Sequence, residues 1–578
     1  MNWKITLCLT FLSCFGMSAQ LCSQNLNRND SLRKALRQLH REAPDHPYTF
    51  RSKANRQTSP AYQISASKFW SVQVNVDSLG RNILGDAANE PSIAIDPTNP
   101  SRMAIGWRQF DSISSNFRQA GVAYSVNGGR TWKSNGVLEP GIFRSDPVLR
   151  SDAEGNFYYN SLTMRGSEFS CVVFKSSSAG LSWDSARDAR GGDKQWMAID
   201  QTNGRGRGNI YAFWTSHYSS CEPYQSSRST DHGRSFEECE DILGNPFWGT
   251  IAVGPDGEVY AAGRSNLIDT SIVVAKSMTA SDSLRRFLFN GFSEVNLDGN
   301  PAGFISASPN PQGLLGQTWV AVDHSAGTTR GYVYVLSTVK RKSLNDLSDV
   351  MTSRSTDGGS TWSTAIRVND DTSKTAWQWF GTMSVAPNGR IDAVWLDTRD
   401  NPGTYRSSLY YSSSSDAGKT WSKNQRLSPD FDPHLGWPQQ IKMGDYFDMV
   451  SDNEGASVAW AGTFNGEQDV YFGRITYSPQ VSVREEAHHH PTQLSLTRIF
   501  PHPLSHRSTI TFNLPSPSRT RLTLFDALGR EVRTILDEER ESGQQTITLD
   551  ALNLQNGIYL LRLEAGKEVA VRTVVVVR

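Results

Sequence analysis

Ser355-Thr356-Asp357-Gly358-Gly359-Ser360-Thr361-Trp362 is the stretch from which the fold can be read. Its pattern, S-x-D-x-G-x-x-W, recurs at Ser125–Trp132, Ser176–Trp183, Ser229–Phe236 and Ser414–Trp421. The third position holds Asp231, Asp357 and Asp416, with Asn127 and Ser178 in the first two copies. The fifth is always glycine: Gly129, Gly180, Gly233, Gly359 and Gly418. A short Asx or Ser side chain accepts hydrogen bonds from backbone N–H groups further along and folds the turn on itself. A fixed glycine suits a backbone position with positive φ, and the closing aromatic covers the turn with apolar area. The boxes therefore mark hairpins and carry no chemistry of their own. Their spacing of roughly fifty to sixty residues, with one copy skipped, marks a repeat architecture.

Outward from the boxes, the chain shows seven pairs of apolar alternating runs joined by turns. They are Ser92–Asp96 with Met103–Trp107, then pairs within Val148–Tyr159, Trp196–Trp214, Thr250–Ala262, Trp319–Leu336, Met383–Trp395 and Asp448–Trp460. After most pairs come a third strand (Gly121–Tyr124, Val172–Phe174, Leu409–Tyr411), a box and a fourth strand. Four antiparallel strands per repeat make a propeller blade. The predicted fold is all-β: a propeller of seven blades, or of six if the first or last segment completes a shared blade. Pairing of Trp70–Val76 with the last repeat would close the ring and remove a sheet edge.

A chain of 578 residues exceeds one ordinary core, so two or more domains are expected. The formal net charge is zero, which leaves no basic excess for nucleic acid or an anionic membrane. Lys4, the apolar run Ile5–Phe15 and the small residues Ser18 and Ala19 read as a secretory signal over 1–22. No later stretch reads as a transmembrane segment. Residues 23–64 are polar, with Leu32, Leu36 and Leu39 at helical spacing; 65–480 hold the repeats; 481–493 form a linker whose His488, His489 and His490 read as solvated. Residues 494–578 read as a small β-sandwich, with strands at Ser508–Leu514, Thr520–Asp526, Gln545–Leu549, Gly557–Glu564 and Val569–Val577. Cys221 and Cys239 bracket the third box and suit a disulfide worth ~3 kcal/mol. Cys171, on an apolar strand, reads as a buried thiol.

The boxes resemble the Asp-box (BNR) repeats of sialidase-like β-propellers over residues 65–480. The last eighty-odd residues resemble the type A sorting domain of the Bacteroidetes type IX secretion system, through Phe500-Pro501-His502-Pro503, Thr523–Val532 and Leu554–Leu563. The second resemblance implies an Ig-like sandwich, the type IX machinery as partner, and a product secreted or attached to the outer-membrane surface. The first implies a glycan or glycoprotein partner. Sialidases of the family carry an Arg-Ile-Pro motif, two further arginines on the substrate carboxylate, a Tyr nucleophile beside a Glu, and an Asp acid. This chain has no Arg-Ile-Pro; its nearest stretch is Phe143-Arg144-Ser145-Asp146-Pro147.

A site would lie where loops lead into the inner strands. At such positions Arg108, Arg118, Arg144, Arg264 and Arg399 are candidates for bidentate carboxylate capture. Asp146, Asp397 and Asp445 could act as acid or base, and Tyr446 as a nucleophile deprotonated by a carboxylate such as Glu90. Trp196, Trp248, Trp379 and Trp437 could stack on sugars. No cofactor or metal is called for. The expected function is an exported, surface-associated propeller that binds extracellular glycans; the alternative is an exo-acting sialidase-like glycoside hydrolase.

Overall fold

The computed structural model describes residues 45–51, 56–216, 219–265, 271–477, 494–500, 502–504 and 507–577. The signal segment, the Leu32–Leu39 stretch and the His488–His490 run lie outside the described residues. The chain divides into two compact units, Met1–Ser478 and Pro479–Arg578. Regular structure among the described residues is β-strand throughout, and no helix is long and apolar enough to cross a membrane.

Besides a two-stranded sheet that pairs Thr58–Pro60 with Arg81–Ile83, the first unit is a succession of seven larger antiparallel sheets. The first comprises Ala87–Ile95, Met103–Phe110, Gln119–Ser125 and Lys133–Leu138. The second comprises Ser145–Ser151, Phe157–Arg165, Glu168–Ser176 and Arg187–Arg190. The third begins at Trp196–Ile199, the fourth at Pro246–Phe247 and Ile251–Val253, the fifth at Gly299–Pro301 and Trp319–Val322. The sixth begins at Gln378–Val385 and the seventh at Asp448–Asp452. Each leading strand packs on that of the next sheet, and Asp448–Asp452 packs on Ala87–Ile95, so the contacts return to their start. Phe69–Gln73 joins the seventh sheet by pairing with Asp469–Thr476, which ties the beginning of the repeats to their end.

Two features depart from the sequence expectation. Burial in the second strands does not alternate: all eight residues of Met103–Phe110 are buried, because neighbouring sheets cover both faces. The third sheet has three strands, and after its box the chain returns only through an isolated bridge, Ser226 to Glu240. A Cys221–Cys239 disulfide holds that return, and Cys171 is a free buried thiol.

Each box connects a third strand to the segment after it. In all five, the glycine N–H donates to the serine Oγ at 2.8–3.0 Å. The third-position oxygen accepts an N–H two residues past the glycine, from Thr131, Ser182, Ser235, Thr361 or Thr420, at 2.9–3.0 Å. The hydroxyl and N–H of Thr361 hold the Asp357 carboxyl well below the usual carboxylate range. The five glycines have φ of 74–86°, and the residues before them (Gly128, Ala179, His232, Gly358, Ala417) are left-handed too. At Gly129 a Cβ would stand 2.3 Å from a ring carbon of Phe472, so glycine is also required by a close approach between sheets.

The second unit has two sheets around one apolar core. Ser495–Phe500, Arg507–Leu514 and Gly543–Asp550 form one; Glu531–Arg540, Ser518–Asp526, Gly557–Ala565 and Glu568–Val576 form the other. Phe512 and Leu514 from the first meet Leu522, Leu524, Leu561 and Leu563 from the second. Ser495–Phe500 and Glu531–Arg540 have no counterpart in the sequence expectation: a register slip between Leu496 and Arg498 breaks the alternation of the first, and the charge of the second, an edge strand, hides it.

Candidate functional site

In each of the seven larger sheets of the first unit a residue with positive φ lies within or shortly before a leading strand. These are Glu90 (49°), Asp146 (45°), Lys194 (56°), Trp248 (54°), Gly316 (142°), Phe380 (57°) and Gly444 (91°). In the first, second and sixth sheets the pairing register slips at this point, the mark of a β-bulge that re-aims side chains. A non-glycine residue in this conformation costs about 1–3 kcal/mol, so the surroundings must enforce it. Because strands alternate in direction, the bulges lie at the opposite end of each sheet from the boxes.

Four of these sheets bring their bulges together. Lys194 Nζ pairs with Asp445 and stands 3.8 Å from Asp146 Oδ2. Lys442 Nζ lies 3.2 Å from the same Asp445 Oδ2, and the Leu314 N–H donates to Asp445 Oδ1 at 2.7 Å. Arg108 Nε stands 3.1 Å from Glu90 Oε2 and donates to Asn89 Oδ1 at 2.8 Å. The Glu90 side chain rests on Gly444, where a Cβ would stand 2.3 Å from its Cγ. All six charged side chains are at most 4% exposed.

Three acids and three bases thus share one buried space, and their ionisation follows from it. Burial pushes the Glu90 carboxyl up to about 8, against the pull of Arg108 and with help from Asp146 and Asp445. Burial opposes the charge on Asp445, but Lys194, Lys442 and Arg108 outweigh it and hold that carboxyl far below the usual range. Lys194 stays charged in spite of burial because Asp445, Asp193, Asp146 and Glu90 face it. Both Glu90 oxygens, Arg108 Nη1 and Nη2, and Asp146 Oδ2 have no hydrogen-bond partner among the described residues. Such groups are commonly served by internal water.

Tyr446 borders this cluster. Its hydroxyl donates to the Pro147 carbonyl at 2.8 Å, and its ring stands edge-on to Trp196 at 5.2 Å. Burial, then Glu90 and Asp146, push the phenol well above its ordinary value. Arg150, 2.8 Å from Asp448, lies over Trp196.

Of the residues predicted from sequence, Arg108, Asp146, Asp445 and Tyr446 meet here, with Glu90. The others engage different partners. Arg118 grips Asp45, and Arg144 pairs with Glu139. Arg264 lies over the rings of Phe247 and Trp248 at 5.8 and 5.9 Å. Arg399 binds Asp397 and Asp370, each at 2.7 Å, and its guanidinium lies over Tyr410. Trp196, Trp248 and Trp379 are buried within the sheets, and Trp437 is half-buried. Lys194 and Lys442 had no sequence signal beyond their charge. The acid–proline pairs Glu90-Pro91 and Asp146-Pro147 were the readable mark of the bulges. Among the described residues no group of three or more His, Cys, Asp or Glu could hold a metal ion.

Three clefts of the first unit lie elsewhere. One of about 390 Å³ is lined by Lys175, Asp184, Arg187, His232 and Arg234 beside the second and third boxes. Another of about 450 Å³ lies between Phe292–Asn296 and Ser360–Ser363, with Phe292 and Trp362 in its wall. The third, about 260 Å³, separates residues 46–51 from the loop 111–119.

Residues 498–577 match the family described as the secretion system C-terminal sorting domain. The second unit carries a sorting domain. The sorting domain implies export, with secretion or attachment at the cell surface. No curated protein sequence matches the chain. Among solved structures, a protein of unknown function from Dyadobacter fermentans is 12% identical over 71% of this chain and 98% of its own, with a TM-score of 0.41. A Hadza microbial sialidase is 12% identical over 73% and 97%, with a TM-score of 0.34. A Trypanosoma rangeli sialidase is 10% identical over 89% and 88%, with a TM-score of 0.36. Overlaps of this size do not bear on the chemistry of the first unit.

Proposed function

We propose that the protein is an exported β-propeller that binds extracellular glycans without hydrolysing them. Its seven larger sheets are the blades, residues 1–22 the signal peptide, and the second unit an Ig-like sandwich read by the type IX machinery. The observation that carries the reading is the sealing of the centre: the acidic and basic side chains where the inner strands start pack against one another and are at most 4% exposed. A glycosidase must admit a sugar between its carboxyl groups, whereas these groups admit each other. Glycan contact is assigned to the cleft between Phe292–Asn296 and Ser360–Ser363. There two rings, the Glu294 carboxylate, the Asn296 amide and several hydroxyls offer stacking and hydrogen bonds together. A glycan array tests this: the protein gives saturable signals that Trp362→Ala reduces at least tenfold, and an array with no signal refutes the binding reading.

A second reading has one observation in its favour. A carboxyl near pH 8, Glu90, beside Arg108 and close to Tyr446, is the kind of acid that glycoside hydrolysis employs. In this reading the centre opens to substrate and Tyr446 exchanges the Pro147 carbonyl for Glu90. Turnover of sialosides or other exo-cleaved glycosides, abolished by Glu90→Gln, would establish it.

A further inference from the structure

Arg118, a candidate for gripping a ligand carboxylate, already grips one: that of Asp45, 73 residues upstream. The geometry is a fork, with Nη2 2.8 Å from Oδ1 and Nε 3.2 Å from Oδ2, and the Arg118 backbone N–H adds 3.3 Å to Oδ2. The Arg118 side chain is 6% exposed and its guanidinium lies over the Phe143 ring at 4.9 Å, so the subsite has an aromatic floor. Residues 45–51 continue from that anchor across the loop 111–119 of the first sheet. The His46 N–H donates to Asn116 Oδ1 at 2.7 Å, the Tyr48 ring meets Phe117 at 5.3 Å, and Arg51 donates to Ser114 Oγ at 3.1 Å. Tyr48 also closes on Gly141, whose added Cβ would stand 3.1 Å from the ring.

This segment is held at points and is not built in. It belongs to no sheet, His46, Pro47, Thr49, Phe50 and Arg51 are exposed, and a space of about 260 Å³ separates it from the loop beneath. Only Asp45 and Tyr48, the carboxylate and the ring, are partly sunk. The loop by contrast is preformed by its own bonds, Ser112 Oγ with Ser114 Oγ at 2.8 Å and Gln119 with Asp111 and Gly141 at 3.0 Å each.

We propose that this groove is a docking site for a polypeptide segment carrying an acidic residue and, three positions on, an aromatic one. Residues 45–51 fill it in cis as a displaceable strap. Arg118 anchors the carboxylate, Asn116 fixes the backbone, and Phe117 with Gly141 receives the ring. The site is separate from the glycan cleft, so the two assignments stand or fall independently.

The test uses the full chain and a fluorescent peptide of residues 45–51. Asp45→Asn combined with Tyr48→Ala removes the strap's ion pair and its ring, leaving the His46 and Arg51 hydrogen bonds, without altering the walls of the groove. This double variant is expected to bind the peptide saturably, at least tenfold more tightly than wild type does, and binding should disappear when Arg118→Gln is added. Tyr48→Ala alone, which keeps the ion pair, should give intermediate binding. Unlabelled peptide should compete, whereas the same peptide with Asn in place of its Asp should not. No binding by a double variant that melts like wild type overturns the proposal, as does binding indifferent to Arg118→Gln. Equal competition by galacturonate oligomers overturns the peptide assignment in favour of a simple carboxylate subsite.

Discussion

Replacing Asp445 by Asn is the sharpest probe of the ionic centre. The carboxylate faces Lys194 and Lys442, all three at most 4% exposed, and its other oxygen accepts the Leu314 N–H. Asparagine either keeps the Leu314 bond and turns its NH2 donors toward two ammonium groups, or offers them a neutral oxygen and loses that bond. Removing one partner of a buried ion pair costs about 3–5 kcal/mol, because the remaining charge is left uncompensated. Adding Lys194→Met removes one of the stranded charges, so the double variant should cost about 1–3 kcal/mol less than the sum of the singles. The assay is equilibrium denaturation followed by tryptophan emission. The last tryptophan is Trp460, so the signal reports the first unit alone and leaves the sorting domain silent. A loss below about 1 kcal/mol for Asp445→Asn, or strict additivity in the double variant, would refute the view that these charges hold one another in place.

Further outcomes rest on the same structure. Glu90, raised to about 8 in the folded chain against about 4.3 when unfolded, binds its proton more tightly in the native state. Its contribution is therefore fully present below about pH 4 and is lost as pH rises toward 8, by at most about 1.4 kcal/mol per pH unit. Asp469, held near 7, adds a slope of the same sign; Asp445, depressed, adds none between pH 5 and 8. Denaturation midpoints should fall between pH 5.5 and 8.5, and Glu90→Gln should flatten that fall; an unchanged slope contradicts the assignment. Gly129→Ala should cost about 2–5 kcal/mol, since positive φ and the clash with Phe472 add, while Gly128→Ala, with nothing within 4 Å, should cost about 1 kcal/mol; equal losses in a denaturation series would dismiss the close approach. Replacing Cys221 and Cys239 together by Ser should lower stability by ~3 kcal/mol for a separation of 18 residues, read by the same emission signal under non-reducing conditions.

What the sequence revealed and what it hid divide along locality. The boxes are legible because a serine, an Asx and a glycine within eight residues make their own hydrogen bonds, and Ser178 serves where Asp stands elsewhere. Cys221 and Cys239 are legible for the same reason. The ionic centre is not local: Glu90, Asp146, Lys194 and Asp445 come from four sheets, and nothing in the chain marks Lys194 as the partner of an acid 251 positions away. The arginines read as a gripping set disperse because each finds a partner nearer than the centre, Arg399 in Asp397 and Arg144 in Glu139. Arg118 shows the converse, a residue chosen for carboxylate capture whose carboxylate belongs to the chain itself. In the second unit strand identity fails twice, at Ser495–Phe500, where a register slip interrupts the alternation, and at Glu531–Arg540, where edge charges mask the period of two.

The central claim is that the charged centre is structural and that the protein binds glycans without cleaving them. Its most direct test is turnover by the folded, full-length protein on sialosides, arabinofuranosides and a wider set of glycosides, with Tyr446→Phe measured alongside. The account predicts no turnover above the blank for either protein, and for Tyr446→Phe only the loss of about 1 kcal/mol that one hydrogen bond to Pro147 contributes. Hydrolysis by wild type that vanishes in Tyr446→Phe while the fold persists would contradict it.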